Sequence, residues 1–197
     1  MSEISHLAPI KTAEIPEEID GVPYFCQRDE RWFSEPYSIA DDPKQTIGSS
    51  GCVPTTEAMI HAAFSGDLTV LPSDLAKWNL TKGYRTRNDG TNSLLSLPAF
   101  AREFGYGLEQ IAPSPDEVKR IIDKKGLVYT VLRGEARKDS LATSEAHVIL
   151  IRGLTPEGEI MAHTSESIEK SLRRWGAEEV LSLADPKRTF GIFPNAV

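Results

Sequence analysis

The sequence is poor in the features that most readily announce a function. It holds two cysteines in 197 residues, Cys26 and Cys52, so no disulfide framework can carry the fold. It holds four histidines, and none stands in a CxxC or HExxH type of spacing with another ligand. A metal site therefore has no ligand pair to start from, and no metal or organic cofactor is expected. No stretch approaches the roughly 18 apolar residues of a membrane span. The opening MSEISHLAPIKTAEIPEEID lacks the basic flank and apolar run of a secretory signal. The expected location is the cytoplasm, or the exterior by a route needing no standard signal. In a chain that is not exported both cysteines are expected as reduced thiols; a disulfide between them would remove the nucleophile at rest. Basic charge is also scarce: 22 Lys and Arg against 29 Asp and Glu give a net charge of −7, with the two signs interspersed. Phosphate backbones require a concentrated basic face, so nucleic acid is not an expected partner. GSSG (48–51) is followed by no Gly-Lys-Ser/Thr, which disfavours a nucleotide-binding loop.

What is present suits a globular chain. At this length about 70% of the unfolded surface can be buried, enough for a core without staples. We read residues 1–20, with two prolines and several acids, as an N-terminal tail or arm, and 21–197 as a single domain. GVPYFCQRD (21–29) reads as a short strand and a turn, and 34–51 as a long loop. CVPTTEAMIHAAF (52–64) reads as a helix: Pro54 is compatible only with its first turn, and Gly66 suggests its stop. SDLAKWN (73–79), SLLSLPAFAREFG (93–105) and SPDEVKRIIDKKG (114–126) read as further helices. The last has a Ser cap, acids first, bases last and a closing glycine. LVYTVLRG (127–134), AHVILIRGL (146–154) and GEIMAHT (158–164) are β-rich, the last two joined by TPEG, and TFGIFP (189–194) suggests an added edge strand. Helices come first and strands last, which predicts an α+β fold.

Chemistry concentrates around Cys52. A thiol at a helix start is inclined to ionise, because the helix dipole and the first-turn N–H groups favour negative charge. Nucleophilic catalysis then needs a histidine from another element and donors for the developing oxyanion. His147 opens the most apolar strand, where a polar ring can face a cleft. Gln27 closes the first strand with an amide able to donate, and the Cys52 backbone N–H is the second candidate donor. Each feature also has a plainer reading. Cys52 can be a small packed residue and His147 a polar strand end. Cys26 adjoins Gln27 and, on a strand, would point to the opposite face, into the core. His163 reads as structural, with a minor claim as an alternative base, and Trp32 and Trp78 as packing residues. Asp89-Gly90-Thr91 reads as a turn.

Taken together, VPYFCQRDERW (22–32), TIGSSGCVPTTEAM (46–59), LAKWN (75–79), GYRTRNDGTNS (83–93) and AHVILIRGLTPEGEI (146–160) form an ordered string. It resembles the C39-like group of papain-fold cysteine peptidases, related to the bacteriocin-processing double-glycine peptidases, over about 21–165. The resemblance implies a papain-like fold, with the helix of Cys52 packed on a C-terminal antiparallel sheet. It implies Cys52 as nucleophile, His147 as general base and acid, and Gln27 as oxyanion donor, and it places the 89–91 turn near the substrate groove. Two positions depart from the family pattern. Ala146 stands where a glycine usually precedes the histidine. The Asp or Asn expected to orient the imidazole falls at or beside Thr164, the first choice for that role here; Ser165, Glu166 and Asp185 are the alternatives.

The expected function is a cysteine peptidase or amide hydrolase acting on peptide or protein substrates through a thioester. The alternatives are a catalytically silent papain-like binding domain, motivated by the missing carboxylate, and an acyltransferase using the same Cys-His pair.

Overall fold

In the computed structural model, which describes residues 8–87, 90–134, 140–142 and 146–195, the fold is mixed α+β, and the chain divides into two compact units, Met1–Ala99 and Phe100–Val197. Residues 1–7 of the expected arm, and Asn88 and Asp89 of the expected turn, lie outside the described residues.

In the first unit, the segment from Ala8 is tied to the turn at 26–30. Ile10 donates its N–H to the Arg28 carbonyl (2.7 Å) and accepts from Glu30 N–H (2.9 Å), while the Arg28 guanidinium holds the Ala8 carbonyl. Strands β1 (Glu18–Ile19) and β2 (Val22–Pro23) pair through Asp20 and Gly21, both at positive φ. The expected strand over 21–27 thus ends early, since Pro23 has no N–H with which to extend the ladder. Beyond it Tyr24, Phe25, Cys26 and Gln27 all turn inward and are buried. The alternation that would separate Cys26 from Gln27 therefore does not operate.

The 34–51 loop contains one helical turn, α1 (Ile47–Ser50), before α2 (Cys52–Ser65). Every residue of α2 from Val53 to Ala62 is buried, so it is a core helix rather than an amphipathic surface one. It ends at Gly66, whose φ of 73° is a left-handed cap, and Gly66 N–H reaches the Ala62 carbonyl. Helices α3 (Pro72–Thr81) and α4 (Ser93–Phe104) follow. The Asn92 side chain accepts from Leu94 N–H at the start of α4.

The second unit is built on a six-stranded antiparallel sheet. Its elements are β3 (Gly107–Gln110), α5 (Pro115–Asp123), β4 (Leu127–Leu132), β5 (His147–Leu154), β6 (Ile160–Thr164), α6 (Ile168–Leu172), β7 (Arg174–Trp175), α7 (Ala177–Ser182) and β8 (Ala184–Phe193). The strand order is β3-β8-β4-β5-β6-β7. The C-terminal strand is thus an interior strand of ten residues, not the expected edge strand. Its first half, with the exposed Pro186 and Lys187, reads as loop, while its second half is locked on both sides: Phe190 pairs with Gln110 and with Tyr129. Thr130 and Thr189 hydrogen-bond across it at 2.7 Å. Val128, Ile149, Ile151, Ile160 and Ala162 of the sheet form the core with Val118 and Ile121 of α5 and Val180 and Leu181 of α7. Gly191 makes room for α5, since a Cβ there would meet the Ile121 side chain. Among the described residues, no helix is long and apolar enough to cross a membrane.

Candidate active site

The first unit carries Cys52 and Gln27. Thr46 N–H is capped by Ser49 Oγ at 2.9 Å, and Gly51 N–H closes the short helix onto the Ile47 carbonyl at 2.8 Å. The chain then restarts as α2 with Cys52 as its first residue. Its first intrahelical bond is Thr55 N–H to the Gly51 carbonyl at 3.0 Å. Pro54 lies within the first turn, where its missing N–H costs no helix bond. Gly48 leaves no room for a side chain without a shift of its neighbours: an added Cβ would lie 2.8 Å from the Phe33 carbonyl and overlap its ring.

Gln27 is anchored to this same turn. Its Nε2 donates to the Gly48 carbonyl at 3.0 Å, so the amide expected as oxyanion donor is fixed to the loop that presents Cys52. Both cysteines are free thiols, Cys52 half-buried and Cys26 buried, and burial pushes the Cys26 thiol pKa up. The Trp32 indole N–H donates to the Cys26 carbonyl. These contacts give Cys26 and Trp32 their packing role. The described part of the 89–91 turn also lies against this region: Thr91 Oγ1 hydrogen-bonds the Tyr37 hydroxyl, and a Cβ on Gly90 would sit 3.7 Å from the Ser50 carbonyl.

The second unit carries His147, Thr164 and the alternatives to Thr164. His147 opens β5, and Thr164 closes the neighbouring β6. His147 Nε2 lies 2.7 Å from Thr164 Oγ1, and the Glu166 carboxylate lies 3.7 Å from the other ring nitrogen, Nδ1. The first is a hydrogen bond; the second is too long for one and brings a carboxylate near the ring. Thr164 is itself held by Ser171, whose Oγ accepts from Thr164 N–H at 2.9 Å and donates to the Thr164 carbonyl at 3.1 Å. Ser165 is buried beside it. Asp185 is engaged elsewhere, by Arg133 at 3.0 Å and Lys187 N–H at 2.9 Å.

Burial of the ring holds the His147 pKa below its usual value; the Glu166 charge works against this and the Lys170 charge with it. At neutral pH the imidazole is uncharged. Hydroxyl, imidazole and carboxylate stand here in the order of a nucleophile, base and acid. Thr164 has no exposed surface, however, so its hydroxyl has no access to a substrate from solvent. His163, one residue earlier, is fully buried opposite Leu150. Among the described residues, no three His, Cys, Asp or Glu side chains gather as a metal site would need.

Two features escape the sequence. The Gly48 carbonyl as acceptor for Gln27 depends on a short helix that no periodicity marks. The approach of Glu166 to Nδ1 depends on the turn after β6. No family model, curated protein or solved structure matches the chain.

Proposed function

We propose that the protein is a papain-like cysteine peptidase or amide hydrolase, in which Cys52 attacks the carbonyl of a peptide substrate and His147 serves as base and then acid. The observation that carries this reading is the 2.7 Å hydrogen bond between His147 Nε2 and Thr164 Oγ1, at the position where the resemblance calls for an orienting side chain. With Nε2–H donated to the threonine, Nδ1 keeps the lone pair that accepts the thiol proton. The thiolate adds to the amide carbonyl, and the oxyanion accepts from the Cys52 N–H and from Gln27 Nε2. Collapse breaks the C–N bond, and the leaving amine takes the proton from Nδ1. Water, deprotonated by Nδ1, then hydrolyses the thioester, releasing the acid and restoring the thiol.

Thr164 orients the ring without balancing its charge, and in this reading Glu166 supplies that charge through space at Nδ1. The threonine in place of a carboxylate favours a second reading, a papain-like domain that binds peptides without turnover. Digestion of a peptide library, read by mass spectrometry, separates the two. The first expects cleavage by the wild type that Cys52→Ala abolishes. Absence of cleavage by the wild type, with peptides still retained, establishes the second and ends the first.

A further inference from the structure

Glu57 lies five residues beyond Cys52 on the same helix and has no exposed surface, and neither have Asn79 on α3 and Ser96 on α4. Three contacts close a ring among these side chains. Asn79 Nδ2 donates to Glu57 Oε2 at 2.8 Å, Ser96 Oγ meets Asn79 Oδ1 at 2.7 Å, and Ser96 Oγ meets Glu57 Oε1. The orientation of the Asn79 amide is fixed separately, because Nδ2 also donates to the Leu75 carbonyl at 3.0 Å. Turning the amide over would set oxygen against oxygen at both places.

The protons can then be counted. Ser96 has one hydroxyl hydrogen and touches two oxygens, Asn79 Oδ1 and Glu57 Oε1. If Glu57 is a carboxylate, neither of those oxygens carries a hydrogen, and one contact becomes lone pair against lone pair in a dry interior. A proton on Glu57 Oε1 satisfies every group. The acid donates to Ser96, Ser96 donates to Asn79, and Asn79 donates back to Glu57.

We infer that Glu57 is held as a neutral carboxylic acid in the folded protein, and that its closed ring with Asn79 and Ser96 is a pH-sensitive lock fastening α2, the helix of Cys52, to α3 and α4. The surroundings agree. Burial pushes the Glu57 pKa up to about 7, against the opposing hydrogen bonds from Ser96 and Asn79. From the loop ahead of α1 the titratable neighbour is Tyr37, whose phenol burial keeps protonated and whose pKa the Glu57 charge raises further. The cation of that neighbourhood, Arg85, lies over the Tyr37 ring at 4.8 Å and donates to the Tyr37 carbonyl.

The sign follows from the raised pKa. Between the ordinary value of 4.5 and about 7 the folded state binds more protons than the unfolded one. The contribution of the lock is therefore full below that window and is lost as pH rises through it. A Glu57→Gln variant is the fixed analogue of the acid, since its amide supplies a hydrogen to Ser96 at every pH.

The test uses the full chain and no substrate, so its outcome is separate from that of the hydrolase reading. The 13C shift of the Glu57 carboxyl, followed by NMR in the wild type, is expected to titrate with a midpoint near 7; a midpoint near 4.5 would overturn the proposal. The melting temperature of the wild type is expected to fall relative to Glu57→Gln as pH rises from 4.5 to about 7, and to run parallel to it above that window, with weaker exchange protection of the α2 amides once Glu57 is ionised. Stability curves that stay parallel within that window, or α2 protection that does not change relative to Glu57→Gln, would overturn the lock. The carboxyl titration needs only the wild type and decides the matter if the variant fails to fold.

Discussion

At His147 the two ring nitrogens meet different chemistry, and the difference sets what each neighbour can do. Thr164 faces Nε2 at hydrogen-bond distance, and Glu166 stands off Nδ1 as a charge. Thr164→Val should therefore lower kcat about fivefold, the value of one hydrogen bond of about 1 kcal/mol, while Thr164→Ser restores it. A steady-state assay of both variants checks this; equal rates for Val and Ser would remove Thr164 from the site. Glu166→Gln removes the charge that favours the imidazolium, so the already depressed His147 pKa should fall further, as a ring-proton NMR titration would show. The sign for stability is the reverse of that for Glu57. A depressed histidine pKa means that the unfolded state binds more protons just below 6.5, so this contribution is lost as pH falls through that window.

Among the elements, the turn ahead of α2 carries the most consequence for its size. Gly48 packs on Phe33 and offers its carbonyl to Gln27, so one residue fixes both the Cys52 loop and the amide expected to serve it. Gly48→Ala should destabilise the fold by about 1–3 kcal/mol, because the nearest obstacle includes backbone that must move. Gly176→Ala, whose added methyl would meet nothing closer than 3.9 Å, should stay within about 0.5 kcal/mol of wild type. Denaturant unfolding of the two variants measures the contrast. The elements that could be read from sequence were those with end signals: α2 between Pro54 and Gly66, α5 behind the Ser114 cap, and the β5–β6 hairpin around TPEG. Those that could not had misleading or absent signals. In β8, Pro186 and Lys187 mask a strand held from both sides. In α1, four residues are too few to show a period. In β3, the short stretch GLEQ lacks a strand's alternation, because its register is supplied by β8.

For the molecule as a whole, the α+β class followed from the order of helical and β-rich segments, and the division into units at Ala99 and Phe100 did not, since no linker composition marks it. Thr164 was the first choice on position for holding the His147 ring, and its hydroxyl does lie on Nε2; the Gly48 carbonyl as acceptor for Gln27 and the approach of Glu166 to Nδ1 were not legible, because both depend on turns that no periodicity marks. In the proposed chemistry Cys52 is the nucleophile and His147 its base. Iodoacetamide labelling at pH 6, with the adducts located by mass spectrometry, tests it most directly. Cys52 should be labelled far faster than the buried Cys26, Cys52→Ala should remove this fast reaction, and His147→Ala should slow it about tenfold or more. Equal slow labelling of both cysteines, or a Cys52 rate indifferent to His147→Ala, would contradict it.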